Sequence, residues 1–192
     1  MKGKFLGILV LLIATFTADA SHSAYPILDC DQVRRNDPIS CMACNIYWEA
    51  RDEPHEGKVM VALVTMNRVK DKRFPNDVCR VVWQWAKNKR GKRVAQFSWT
   101  KDGRADIVRR KYRKEWEDAV MIAQLALISY KRGWIDLHVP GIDHSGVLWY
   151  HADYVNPWWN RRKHIVAKVG LHIFYRETPV DVEVRILPKS GG

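Results

Sequence analysis

Cys44-Asn45-Ile46-Tyr47-Trp48-Glu49-Ala50-Arg51-Asp52-Glu53-Pro54-His55-Glu56-Gly57 sets two helices on either side of a proline. Ser40 reads as the N-cap of a helix running to about Arg51. Ala43, Ile46, Tyr47 and Ala50 recur at spacings of 3 and 4, the period of an apolar helical stripe. A rotation of about 100° per residue puts Glu49 on the flank of that stripe. Pro54 breaks the helix, and a second one is expected from His55 to Val69, with Glu56 in its first turn. Val59, Ala62, Leu63 and Met66 face one way and Val61 and Val64 the other. A helix apolar on most sides is central and buried.

Downstream, Phe74-Pro75-Asn76 is a turn, and Asp77 to about Lys87 reads as a third helix with Val78, Val81, Val82 and Trp85 on one face. Residues 88 to 108 read as a long basic loop containing Gln96-Phe97-Ser98-Trp99, and loops of that length are usually functional or mobile. The fourth helix is expected over Val108 to Arg132, with Tyr112, Trp116, Ala119, Val120, Ala123, Leu127 and Tyr130 in register and Gly133 ending it. Val147 to Tyr154 and Gly170 to Arg176 read as strands, and the tail after Glu177 alternates enough for one more. The organisation expected is an N-terminal address over 1–20, a lead-in over 21–39, a main domain over 40–177 and a tail over 178–192.

Lys2 and Lys4, the apolar run Phe5–Ala18 and Ala18-Asp19-Ala20 make the pattern of a secretory signal peptide. The run is shorter than the ~20 residues a spanning helix needs, and no membrane span is expected after cleavage. The expected location is therefore the periplasm, the cell wall or the medium. In an exported chain, Cys30, Cys41, Cys44 and Cys79 favour disulfides, with three possible connectivities. Cys41-x-x-Cys44 also suits a redox pair or half of a zinc site, although the helical flanks and the missing second ligand pair disfavour both.

The chain has 192 residues, 47% of them hydrophobic, which excludes wholesale disorder. Its 32 Lys+Arg against 21 Asp+Glu give a net charge of +11, suited to an anionic partner. The runs Lys87–Arg93 and Arg109–Lys111 lie on either side of Gln96-Phe97-Ser98-Trp99. No RNP, helix-turn-helix or zinc-finger pattern accompanies them, and export argues against nucleic acid, so an anionic membrane or an anionic cell-wall polymer accounts for the same charge.

Glu49, half-buried beside Trp48, suits a carboxyl of raised pKa acting as a general acid, and equally a solvated Glu paired with Arg51. Asp52, Glu53 and Glu56 crowd the same junction. They offer either a second carboxylate for a two-carboxylate glycosidase or first-turn residues of the next helix. His55-Glu56 has no His at 59, so there is no zinc H-E-x-x-H site, and no metal or cofactor is expected. In Tyr150-His151-Ala152-Asp153-Tyr154, alternation puts Tyr150, Ala152 and Tyr154 on one face and His151 and Asp153 on the other.

Several of these segments together resemble the SleB/CwlJ-type cell-wall hydrolases. Asn45 to Pro54, Glu56-Gly57-Lys58, Asn67-Arg68-Val69, Phe74-Pro75, Val78 to Val82 and Gln96-Phe97-Ser98 follow in the family's order. Trp149 to Val155, Pro157-Trp158 and Gly170 to Arg176 complete the series. The resemblance implies an α+β, mainly helical, lysozyme-like domain with a small antiparallel sheet, related to the lytic transglycosylases. It implies a monomer that acts on peptidoglycan glycan strands between N-acetylmuramic acid and N-acetylglucosamine. The E-A-R-x-E motif carries the catalytic role to Glu49, with Glu53, Gln96, Ser98, Tyr150 and His151 binding substrate. Two departures stand out. Asp52 occupies a position that is Gly in many members, which bears on the turn after the catalytic helix. Ala95 and Lys101 stand where many exported members have Cys, so Cys79 must find another partner or stay free.

Overall fold

The computed structural model describes residues 29–33, 37–88, 90–132 and 137–177. The expected signal peptide, most of the lead-in, Gly133 and the tail lie outside the described residues. The core is a cluster of helices: α1 (Pro38–Ala50), α2 (His55–Lys70), the short α3 (Val78–Val82) and α4 (Arg113–Arg132). Helix α1 packs on all three of the others, and α2 packs on α4 and on the sheet. Against the helices lie a small hairpin, β1 (Trp85–Lys87) with β2 (Arg93–Ala95), and a three-stranded antiparallel sheet. That sheet contains β3 (Val147–Ala152), β4 (Lys163–Val169) and β5 (His172–Glu177), in the order β3-β5-β4. The mainly helical α+β class with a small antiparallel sheet is therefore the one observed.

Helix α1 begins earlier than Ser40. Asp37 is its cap, accepting hydrogen bonds from the Ile39 and Ser40 amides at 3.2 and 2.8 Å, and Pro38 takes the first turn, where its missing N–H costs nothing. The turn after α1 closes with Asp52 in place of glycine. Arg51 stays right-handed (φ −57°, ψ −35°), and the Glu53 amide donates to the Ala50 carbonyl at 3.0 Å. Helix α2 is buried on most of its circumference, as its sequence requires. Its one buried lysine, Lys58, lies 3.7 Å from Asp118 of α4.

Three other expectations need correction. The third helix stops at Val82, and Trp85 lies in β1 rather than on a helix face. The cause is the tight turn at Asn88–Gly91: Gly91 has φ +73°, and the Asn88 side chain accepts from the Arg90 and Lys92 amides, which folds the chain back into β2. Residues 88–108 are therefore more structured than a loop, holding β2 and a 3₁₀ turn at Ser98–Lys101. Helix α4 starts at Arg113, after a 3₁₀ turn over Arg110–Tyr112, not at Val108. Trp116, Ala119, Val120, Ala123 and Leu127 are buried as expected, but Tyr130 is exposed. Strand β4 was not expected at all.

All four cysteines are bridged. Cys41 pairs with Cys79 and Cys30 with Cys44, so each half of the C-x-x-C pair is committed to a different segment. Cys79 thus joins a cysteine of the 30–44 segment, pinning α3 to α1. The bridge spans a sequence separation of 38, and loop-closure entropy puts its contribution at about 4 kcal/mol. A Cys41→Ser/Cys79→Ser variant is expected to lose that stability in urea unfolding. A loss below about 1 kcal/mol would mean that α3 is held by packing alone.

Candidate active site

Helix α1 presents Glu49 to a cavity of about 420 Å³ between the helices, the β2–3₁₀ segment and the sheet. Its lining includes Trp48, Glu49, Arg68, Gln96, Ser98, Trp99, Tyr150, His151 and His172. Glu49 is the only carboxylate among the lining residues. The Tyr150 hydroxyl donates a hydrogen bond of 3.0 Å to its Oε2. Burial pushes the Glu49 pKa up to about 7, opposed by the Tyr150 hydrogen bond and by the positive charge of Arg68, which both favour the carboxylate. The same burial drives the Tyr150 hydroxyl well above its ordinary value, so Tyr150 remains a donor.

Arg68 is the cation of the site. It is buried near the end of α2, its Nε donates to the Leu148 carbonyl at 2.9 Å, and its guanidinium lies over the Phe97 and Phe74 rings. Burial lowers its pKa from a very high starting value, and Glu49 opposes that shift. Neighbouring Asn67 donates to the His144 and Val147 carbonyls at 2.8 and 3.1 Å. Asn67 and Arg68 thus dock the start of β3 on α2, which sets the height of Tyr150 opposite Glu49. The cavity's aromatic wall is fixed from inside. Trp99 donates from Nε1 to the fully buried Asn45 of α1, and its ring stacks on Trp48 at 6.4 Å. Among the described residues, two buried donors on the lining, Trp48 Nε1 and Arg68 Nη1, have no hydrogen-bond partner, and neither does His172 Nδ1. A buried unpaired donor is costly unless a ligand or water completes it.

The cavity brings together Glu49, Gln96, Ser98, Tyr150 and His151. Gln96 is held by its amide's bond to the Gln84 carbonyl at 3.0 Å. His151 is engaged on both ring nitrogens: Nδ1 donates to the Ala152 carbonyl, which can only accept, and Nε2 lies 2.8 Å from the Tyr175 hydroxyl. Its ring stacks on Tyr175, so its place on the rim is rigid. Glu53 is not among the lining residues. Its Oε2 accepts from the Leu171 amide at 2.9 Å and its Oε1 lies 3.8 Å from His172 Nδ1. Gly170, at φ +56°, makes room for it, since a Cβ there would overlap the Glu53 carboxylate and meet the Pro54 ring at 2.8 Å. Glu53 therefore ties the β4–β5 turn to the α1–α2 junction. Asp52 points to solvent, paired with Arg51 at 3.3 Å.

A family model described as Cell Wall Hydrolase matches residues 52–175. The chain belongs to this family. The match begins just past Glu49, so the part played by Glu49 rests on its surroundings. The chain is 26% identical over 151 residues to a spore cortex-lytic enzyme of Oceanobacillus iheyensis, covering 78% of this chain and 45% of that protein. It is 43% identical over 49 residues to the spore cortex-lytic enzyme of Bacillus subtilis, covering 26% of this chain and 16% of that protein. The chain spans less than half the length of these curated relatives. Among solved structures it is similar to the catalytic domain of the germination-specific lytic transglycosylase SleB from Bacillus anthracis. That likeness has 27% identity and a TM-score of 0.47, covering 72% of this chain and 93% of the other. The catalytic domain of the Bacillus cereus SleB protein is similar at 28% identity and a TM-score of 0.46, with 72% and 89% covered.

Three features of the cavity escaped the sequence. Arg68 reads as an ordinary last-turn cation, yet α2 is so deeply buried that its last turn lies in the site. Trp99 carried no signal beyond aromatic content, and His172 stood within the Gly170–Arg176 segment with no role assigned to it. His172 packs edge-on against Tyr150, and burial holds its pKa below the ordinary histidine value.

The raised pKa of Glu49 couples its proton to folding. The folded chain holds the proton up to about pH 7 and the unfolded chain only to its ordinary value of 4.5. Stability from this group is therefore full below pH 4.5 and is lost as pH rises through 7, by about 3 kcal/mol. Glu49→Gln removes the titration. The variant is expected to be more stable than the wild type at pH 8 by roughly that amount, with the gap closing at pH 4.5. A gap in urea unfolding that is independent of pH would contradict a half-buried, proton-holding Glu49.

Proposed function

We propose that the chain cleaves peptidoglycan glycan strands between N-acetylmuramic acid and N-acetylglucosamine by lytic transglycosylation, outside the cytoplasm. The observation that carries this reading is a cavity carboxyl that accepts the Tyr150 hydroxyl at 3.0 Å and has no second carboxylate beside it among the described lining residues; burial raises its pKa to about 7. A general acid works best when its pKa lies near the working pH. Protonated Glu49 donates its proton to the glycosidic oxygen as the bond to muramic C1 breaks. The positive charge that develops on the sugar faces the new carboxylate. The Tyr150 hydroxyl and Arg68 stabilise that carboxylate, and it then accepts the proton of the muramic C6 hydroxyl as O6 closes on C1. The product carries a 1,6-anhydro ring, no water is consumed, and Glu49 ends protonated as it began.

The placement of the other acids supports a single-carboxyl mechanism. Asp52 faces solvent and Glu53 is spent on the β4–β5 turn, so neither is positioned to activate a water. Gln96, Ser98 and His151 are read as partners for sugar hydroxyls. The unpaired Trp48 and Arg68 N–H groups are read as donors to the glycan's N-acetyl or hydroxyl oxygens. Indole faces such as those of Trp48 and Trp99 suit the apolar faces of pyranose rings.

Mass spectrometry of muropeptides released from purified sacculi tests the reaction. The expected products carry 1,6-anhydro ends, and Glu49→Gln lowers turnover by about 10²–10⁴-fold without loss of fold. Reducing ends alone would replace transglycosylation with hydrolysis, and no new glycan ends would contradict the function.

A further inference from the structure

A second cavity, of about 660 Å³, adjoins the first and shares Trp48, Ser98 and Trp99 with it. The two form one trough divided by the stacked indole pair. The chemistry of the second half differs from that around Glu49: its lining carries Arg51, Arg104 and Arg109 against Asp102 and Asp106. Asp106 is buried, and Asp102 is turned back on its own loop, accepting the Arg104 amide at 2.9 Å and lying 4.0 Å from Arg104 Nε. Arg51 is set among three rings, its guanidinium centre 5.5, 5.5 and 5.0 Å from those of Tyr47, Trp48 and Tyr112. Arg109 is exposed and makes no ion pair among the described residues. Arg51 is also paired with Asp52 at 3.3 Å, so the basin has an aromatic floor and a solvent-open rim formed by Arg104 and Arg109.

We infer that this basin receives the carboxylates of the peptide stem borne by muramic acid, so that the enzyme prefers peptide-bearing strands to bare glycan. The inference rests on the proposed function. N-acetylglucosamine and the muramic ring are uncharged. The anionic groups of the strand are the carboxylates of the stem, which leaves the muramic ring through its lactyl ether. A strand lying across Glu49 and passing the Trp48–Trp99 pair carries a stem over the arginine rim. The planar guanidinium fork matches a carboxylate with two parallel hydrogen bonds, and its face remains free to stack on an aromatic ring. The cavity at Glu49, where the Arg68 cation faces the Glu49 carboxyl, and the arginine-rimmed basin beside it therefore match the two chemical parts of one substrate.

The test compares kcat/KM on soluble strands of matched length, free of teichoic acids, either intact or stripped of stems by an amidase and then capped as the methylamide at the freed lactyl carboxyl, so that the stripped strand carries no carboxylate. The wild type is expected to favour intact strands by about three- to tenfold, the range for partly exposed charge-assisted contacts. Arg104→Gln/Arg109→Gln brings the ratio towards one, and Arg104→Lys/Arg109→Lys retains part of it because charge persists without the fork. A wild-type ratio near one, with stripped strands still cut, overturns the basin and leaves glycan cleavage standing. A preference that survives in the Gln variant also overturns it. Failure to cut either strand overturns the proposed function and this inference with it.

Discussion

The hydrogen bond from Tyr150 to Glu49 joins the two halves of this protein at the point where its chemistry is proposed to lie. One partner comes from the last turn of α1, the other from the middle of β3. A carboxyl withdrawn from water gives up hydration that only a few fixed dipoles replace. If the dipoles were too strong, the carboxyl would be permanently ionised. If they were too weak, it would never release its proton. A single phenol and one cation, Arg68, leave it near pH 7, between those limits.

Much of the remaining structure keeps that pair in register. Glu53 grips the β4–β5 turn through the Leu171 amide, which Gly170 alone can bring close enough. Through the pairing of β5 with β3, that grip reaches Tyr150, which lies opposite Phe174. Asn67 and Arg68 fix the other end of β3 on α2. In the E-A-R-x-E motif the first residue is the one proposed to carry the chemistry, and the last ties the β4–β5 turn to the α1–α2 junction. Glu53 serves as a positioning residue here.

The helical core was legible because α1 and α4 carry 3.6-residue stripes and α2 is apolar on most sides, and the structure buries them accordingly. Glu49 was singled out by lying on the flank of such a stripe. Its half-burial followed from that position, but its partner was not legible, because Tyr150 comes from β3, roughly a hundred residues away. Residues 78–87 misled because Val78, Val81, Val82 and Trp85 fit a helical face as well as they fit a short helix followed by a strand. The strand was settled by the turn at Asn88–Gly91. Strand β4, Lys163–Val169, was hidden because its exposed face breaks the apolar pattern expected of a strand. Cys79 could be assigned to the 30–44 segment, but three cysteines there left the choice to three-dimensional proximity.

The account depends on Glu49 keeping its proton near neutrality. Carbon-13 NMR titration of the glutamate carboxyl carbons, with Glu49→Gln providing the assignment, measures this directly. The account predicts a midpoint of about 7 for the Glu49 resonance. A midpoint at the ordinary glutamate value, about 4.3–4.5, would contradict it, because Glu49 would then be ionised at neutral pH with little proton to give.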